Sequence, residues 1–287
     1  MNSCTIAMAQ LTGQAESSVT FKTQSQRSAL VQLIAYPRHN HLLILETGAG
    51  KSMLWAAPAL ASSTGSVTVL ILPYRILRSQ AEAFQSKGLS VGTYSTRRSK
   101  RLTEAGEDPK IVLVATEHLL HHRVHLLTAI KQLQSKKMLL RIVCEEIHTI
   151  ITDSNYRECM AQVSSIFKEL PSIPIIGLTG SLTEELEAKI IHNVLNANGN
   201  EVKTLRTATM RSNIKLHKQA FDYSPEGLDE MHIRCAQLIE QQSRVGSGRT
   251  LVICRLRDYV ADVKAKLVEM GIRAEVCIGA ALLQTVI

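Results

Sequence analysis

The chain has 287 residues, 45% of them hydrophobic and only 4% aromatic, with a formal net charge of +8 at neutral pH. That length suits one large domain or two medium ones with an aliphatic core, and no apolar run approaches a membrane span. The basic balance points to a polyanionic partner such as nucleic acid, although charge alone does not separate this from a merely basic soluble protein.

The cysteines at 4, 144, 159, 235, 254 and 277 show no Cys-x-x-Cys spacing. They read as reduced thiols of an intracellular protein, not as a disulfide framework or a zinc site. The N-terminus lacks the basic-then-apolar order of a secretory signal. Residues 1–20 are polar and mixed, and are expected to form a loose lead-in. Leu30, Leu33 and Ile34 fall at helical spacing. The apolar run 42–45 reads as a buried strand and Met53 to Leu60 as the start of a helix. Between them lies Glu46-Thr47-Gly48-Ala49-Gly50-Lys51-Ser52. Strand, glycine turn, Lys-Ser and helix form the context of a phosphate-binding loop. Gly48 and Gly50 let successive N–H groups point into one concavity, and the helix N-terminus adds a positive field. Lys51 is expected on the β- and γ-phosphates and Ser52 on Mg²⁺. Position 45 is Leu, where the general loop has Gly or Ala.

Further along, 66–73 reads as a buried strand, 74–85 as a helix, and 90–94 and 110–115 as strands. The basic run Arg97-Arg98-Ser99-Lys100-Arg101 reads as a solvated face or as a phosphate contact. His118, His121, His122 and His125 fall on one helical face. Without a third ligand type nearby, they read as solvated rather than as a zinc site. Residues 139–144 form another strand, running into Glu145-Glu146-Ile147-His148. In a parallel sheet that edge faces the ligand crevice. One carboxylate can serve the Mg²⁺ shell while the other orients the attacking water. A strand at 174–178 ends at Thr179-Gly180-Ser181, and a helix starts at Thr183. Residues 201–220 look extended, 227–242 helical, 250–254 a strand, 259–270 a helix and 272–278 another strand. Strands alternating with helices argue a parallel α/β sheet.

The order of these motifs resembles a superfamily 2 helicase, and within it the RecQ family, over roughly residues 20–280. Thr47-Gly48-Ala49-Gly50-Lys51-Ser52 is similar to that family's motif I, which accommodates Leu45. Gln26 stands where the family has its adenine-binding glutamine, whose amide offers one donor and one acceptor. Pro73 to Gln80, with Arg75, Arg78 and Gln80, resembles motif Ia. Val114-Ala115-Thr116-Glu117 resembles motif Ib. Glu145-Glu146-Ile147-His148 stands for Asp-Glu-Ala-His, and Thr179-Gly180-Ser181 for motif III. Arg211-Ser212-Asn213-Ile214 looks like the crossing into a second RecA-like domain, and 251–255 like motif IV. Glu145 is one methylene longer than the family's Asp. The loop after motif II offers Tyr156 as its only aromatic, with Arg157 in its usual place. No stretch of the 287 residues matches motifs V and VI.

The resemblance implies a RecA-like domain at 21–205 and a partial second one at 206–287. It implies ATP and Mg²⁺ as cofactors, DNA, single-stranded or as a tailed duplex, as partner, and 3′-to-5′ translocation. It places the protein in the nucleus of a eukaryote or otherwise in the cytoplasm. Gln26, Thr47, Gly48, Ala49, Gly50, Lys51 and Ser52 would hold the nucleotide. Glu145, through water, and Ser52 would hold the metal, and Glu146 would orient the hydrolytic water. His148, Thr179 and Ser181 would couple the nucleotide site to DNA held by Arg75, Arg78, Gln80, Thr116 and Arg157. Impaired turnover of the isolated chain is expected. The alternative is a degenerate nucleotide- or nucleic-acid-binding module without unwinding activity. A small-molecule kinase or other P-loop enzyme is a third reading, disfavoured by Gln26 and the motif Ia segment.

Overall fold

Aliphatic runs buried on both sides make the strands, as a parallel sheet covered by helices on each face requires. The computed structural model describes residues 2–94, 109–118, 122–153, 158–209, 214–218, 220, 222, 224–245, 250–254 and 257–276. The strands are β1 (Asn40–Ile44), β2 (Val67–Leu72), β3 (Val91–Thr93), β4 (Ile111–Ala115), β5 (Leu139–Glu145), β6 (Ile175–Thr179) and β7 (Val202–Arg206). They form one seven-stranded sheet in the order β3-β4-β2-β5-β6-β1-β7, with every pairing parallel. The sequence expectation of a parallel α/β sheet is met.

Side chains alternate between two cores. One face carries α1 (Asn2–Thr12), α2 (Gln24–Ala35), α3 (Met53–Leu60) and α4 (Tyr74–Gln85). The other carries α5 (Arg123–Ser135), the single turn α6 (Thr149–Thr152), α7 (Glu158–Lys168) and α8 (Glu184–Asn193). Thr183 caps α8 by accepting from the Leu186 N–H at 3.3 Å, and Glu184, Glu185 and Glu187 sit in its first turn, where the helix dipole favours them. The expected loose lead-in differs from what is found. Residues 2–12 are helical, and Ala7, Met8 and Leu11 are buried against the α3 side of the sheet. Their apolar stripe was hidden by polar neighbours.

Gly177 in β6 lets Ile147 cross closely, since a methyl there would lie 2.5 Å from the Ile147 side chain. Asn40 knits the sheet's opposite end. Its Nδ2 donates to Leu195 O at 2.7 Å and to Asn198 Oδ1 at 2.8 Å, while Oδ1 accepts from Ile175 N–H at 2.8 Å. Asn40→Ala is expected to cost at least about 2 kcal/mol, because it strands buried donors and acceptors. Urea unfolding midpoints of both proteins measure this, and equal midpoints would refute it.

Cys144 lies in the same sheet. Burial pushes its thiol up to about 12, and the charges of Glu145 and Glu146 add to that. The ordinary value is 9.0, so this contribution to stability is complete below pH 9 and is lost as pH rises toward 12. Cys144 is therefore expected to resist iodoacetamide at mildly alkaline pH until urea opens the fold. Mass spectrometry of the labelled peptides reads this, and rapid native-state labelling would contradict it.

The chain divides into two compact units, Met1–Ile214 and Lys215–Ile287. In the second, α9 (Pro225–Val245) and α10 (Arg257–Glu269) enclose a small core of Ala236, Ile239, Val263 and Leu267. The strands expected at 250–254 and 272–278 are not found among the described residues. Val252 and Cys254 do pack inward while Leu251 and Ile253 are 76% and 84% exposed, so the alternation is that of a strand. Among the described residues there is no neighbouring strand to complete a ladder. No helix of the described residues is long and apolar enough to cross a membrane.

Candidate nucleotide and nucleic-acid site

Strand order brings distant segments together. β5, β6 and β1 are consecutive in the sheet, with Ile44 in register with Thr179 and Leu178 with Glu145. The loops leaving their C-terminal ends therefore lie side by side. These loops carry 46–52, 146–148 and 180–181.

Gly48 and Gly50 adopt φ of 89° and 81°, which only glycine takes without strain. The N–H groups of Gly48, Gly50, Lys51 and Ser52 have no acceptor among the described residues, whereas Ala49 N–H closes the turn onto Glu46 O at 3.1 Å. Such a row of free N–H groups ahead of a helix is a cradle for anionic oxygens. The Lys51 ammonium makes only long contacts, 3.4 Å each, with Leu45 O and Glu46 O. The Ser52 hydroxyl makes no capping bond to the helix it precedes. Donor set and cradle thus fit a polyphosphate, and Ser52 is available to its metal.

Gln26 packs against the loop and is bonded to main chain. Only 2% exposed, it donates through Nε2 to Gly50 O at 3.0 Å and accepts from Lys22 N–H at 2.7 Å. The donor–acceptor pair suited to adenine is engaged by main chain, and a side chain at Gly50 would run into it. Glu46 is a second tether the sequence reading missed. Ser25 donates to both its oxygens, at 3.0 and 3.1 Å, and Thr207 to Oε2 at 3.1 Å. Burial opposes its ionisation, but the hydrogen bonds from its own backbone, Ser25, Thr207 and Thr23 prevail and hold its pKa below the ordinary range.

Glu145 is turned toward α3. The Trp55 indole N–H donates to its Oε1 at 2.9 Å, and Trp55 is itself 1% exposed and tilted against Phe84. Burial pushes the Glu145 carboxyl above its ordinary range and Glu146 adds to the push, while Trp55 and Lys51 counter it. One oxygen is therefore committed to Trp55, and the other has no hydrogen-bond donor among the described residues. Glu146 follows at φ 50°, a strained angle for glutamate, which swings its half-exposed carboxylate out of the strand direction.

The three expected coupling residues meet. Thr179 Oγ1 lies 2.8 Å from His148 Nδ1, donates to Ser181 O at 3.1 Å and accepts from Ser181 N–H at 3.2 Å. The Glu146 carboxylate lies 3.4 Å from the same nitrogen. Gly180 closes the group, since a methyl there would approach Thr47 Oγ1 at 3.0 Å and Lys51 Nζ at 3.3 Å.

Of the nucleic-acid candidates, Arg78, Gln80 and Thr116 follow β2 and β4 on the same sheet edge. Arg78 is 90% exposed and pairs with Glu82 at 2.8 Å, while Gln80 is half-buried. Thr116 is only 3% exposed, and its hydroxyl donates to Glu117 at 3.0 Å, so it faces inward rather than toward a ligand. Glu117, the last residue of the motif Ib segment, also accepts from Tyr74 N–H at 3.0 Å and so ties the two segments together. The Arg75 side chain, Arg97 to Arg101, His121, Tyr156, Arg157, Arg211 to Asn213 and Arg255 lie outside the described residues. His118 packs edge-on against Tyr74, Tyr94 and His122, and no metal-holding group of His, Cys, Asp or Glu occurs among the described residues.

The model of the DEAD/DEAH box helicase family matches residues 23–189. The chain is similar to ATP-dependent DNA helicase Q5 of Mus musculus, 21% identical over 89% of this chain and 27% of the relative. It is also similar to ATP-dependent helicase SGS1 of Saccharomyces cerevisiae, 25% identical over 53% of this chain and 11% of the relative. A third relative is RecQ-like DNA helicase blm-1 of Caenorhabditis elegans, 24% identical over 83% of this chain and 24% of the relative. The chain thus spans about a quarter or less of these relatives. Among solved structures, the DUF1998 helicase MrfA shares the fold with a TM-score of 0.57 at 16% identity, over 92% of this chain and 40% of MrfA. MrfA bound to DNA matches with the same TM-score, 0.57, at 14% identity.

Proposed function

The chain belongs to the DEAD/DEAH box helicase family, and from that premise we propose that it binds ATP with Mg²⁺ at residues 46–52 and couples hydrolysis to movement on DNA, as RecQ helicases do. The observation that carries the reading is the row of free N–H groups at Gly48, Gly50, Lys51 and Ser52, set beside Glu145 and Glu146. In this reading the loop cradles the phosphates, Lys51 neutralises them, and Ser52 and Glu145 hold the metal, Glu145 through water. Bound Mg²⁺ would offset the charge that develops on the β- and γ-phosphates. Glu146 holds and orients the attacking water, and its contact with His148 passes the change to Thr179 and Ser181. Adenine would meet Gln26 only by displacing its bond to Gly50 or Lys22. Arg75, Arg78, Gln80 and Arg157 are the DNA-facing candidates, on single strands or tailed duplexes, with 3′-to-5′ movement.

A second reading is favoured by one observation. Glu145 is largely buried, which disfavours its charged form despite the Trp55 hydrogen bond, so the isolated chain would hold the metal weakly, turn over slowly and act mainly as a nucleotide- and DNA-binding module.

Steady-state ATPase with and without single-stranded DNA, alongside anisotropy of labelled DNA at several salt concentrations, tests both. DNA-stimulated turnover is expected, with log affinity falling linearly against log salt as phosphate contacts release counterions. Salt-sensitive binding without stimulated turnover selects the second reading. Absence of DNA binding at low salt refutes both.

A further inference from the structure

The sheet edge opposite the nucleotide loop holds a cavity of about 380 Å³, between the starts of α1 and β5 and the end of α3. Arg141 lines it with Ser3, Cys4, Ser66, Leu33 and Pro58, and no Asp or Glu among the described residues is in its wall. The guanidinium has no hydrogen bond or ion pair among the described residues, and its Nε is sealed from solvent without a partner. Thr68, paired with Arg141 across the sheet, also has a sealed hydroxyl without a partner. Burial disfavours the charged guanidinium, and among the described residues only Cys4 stands against that. His41 is the other titratable group nearby, and it adds no negative charge. A buried cation without a counter-charge is costly, and native proteins resolve such groups with a partner, an ion or water.

We propose that the Arg141 cavity binds a small organic anion, a carboxylate or phosphate monoester carrying a short apolar body. The guanidinium fork matches both oxyanions in a bidentate geometry. The hydroxyls of Ser63 and Ser66 bond each other at 2.8 Å, which leaves one of their two hydrogens for an acceptor at the mouth. Leu33, Ile34, Pro37 and Leu140 supply an apolar wall beyond the charge. The volume exceeds that of a bare oxyanion and falls at the small end of ligand pockets.

The probes are benzoate and phenyl phosphate, titrated calorimetrically and by thermal melting against chloride at matched ionic strength. The wild-type chain should show saturable binding and a rise in melting midpoint that chloride does not give. Arg141→Met should lose both effects and melt no lower than the ligand-free wild type. Cys4→Phe, which fills the opposite wall and keeps the arginine, should lose them too. Nucleotide binding at the far sheet edge should persist in both variants, which reports that they are folded. Tighter binding of one probe identifies the head group. Absence of saturable binding to the wild type, or an equal response in Arg141→Met, overturns the proposal.

Discussion

Replacing Lys51 with alanine is expected to weaken ATP–Mg²⁺ binding by roughly 10- to 100-fold while leaving the melting temperature nearly unchanged. Among the described residues the ammonium is hydrogen-bonded only to Leu45 O and Glu46 O, at 3.4 Å each, so the fold loses little without it. On bound phosphates the same group would make charge-assisted hydrogen bonds, each contributing about 1.5–3 kcal/mol. Titration with a fluorescent ATP analogue and Mg²⁺ reads the change. Equal affinities of the two proteins would remove residues 46–52 as the phosphate site. A lower melting temperature with unchanged affinity would make Lys51 a structural residue only.

Trp55→Phe is the second large effect expected, and it acts through Glu145. The indole N–H holds Glu145 Oε1 at 2.9 Å, which fixes a side chain one methylene longer than the aspartate usual in RecQ helicases. Phenylalanine keeps most of the packing against Phe84 but donates nothing. The carboxylate then regains rotamer freedom in a buried setting and is left short of a donor. Outer partners of metal-holding groups are typically worth roughly 10- to 100-fold in metal affinity. The Mg²⁺ midpoint for tight nucleotide binding should rise by about that factor, while affinity measured in EDTA stays the same. Trp55 is the chain's single tryptophan, so its fluorescence in the parent protein should also respond to Mg²⁺–nucleotide. An unchanged midpoint in Trp55→Phe would limit Trp55 to packing. A parallel loss of affinity in EDTA would point instead to a general disturbance of α3.

Much of this molecule is legible in its local sequence. Buried strands announce themselves as unbroken aliphatic runs, and 67–72 and 111–115 are found within a residue of expectation. The helix read at 74–85 has those bounds. The phosphate loop is legible because its chemistry is local: glycines, Lys51 and Ser52 between one strand and one helix. The resemblance likewise groups His148 with Thr179 and Ser181, and the hydrogen bonds agree.

What the tertiary structure decided is everything that depends on a distant partner. Trp55 reads as one more apolar helix residue until β5 places Glu145 beside it, 90 positions away. Gln26 has the right amide for adenine, yet the fold gives that amide to Gly50 and Lys22. Glu117 is legible as the end of the motif Ib segment, but its tie to the motif Ia segment exists only because the β2–β4 pairing brings Tyr74 N–H to it. Residues 250–254 carry the alternation of a strand and pack accordingly, but no ladder forms among the described residues. Side-chain periodicity is set by the residue's own chain direction, whereas a hydrogen bond needs a second group whose position only the whole fold determines.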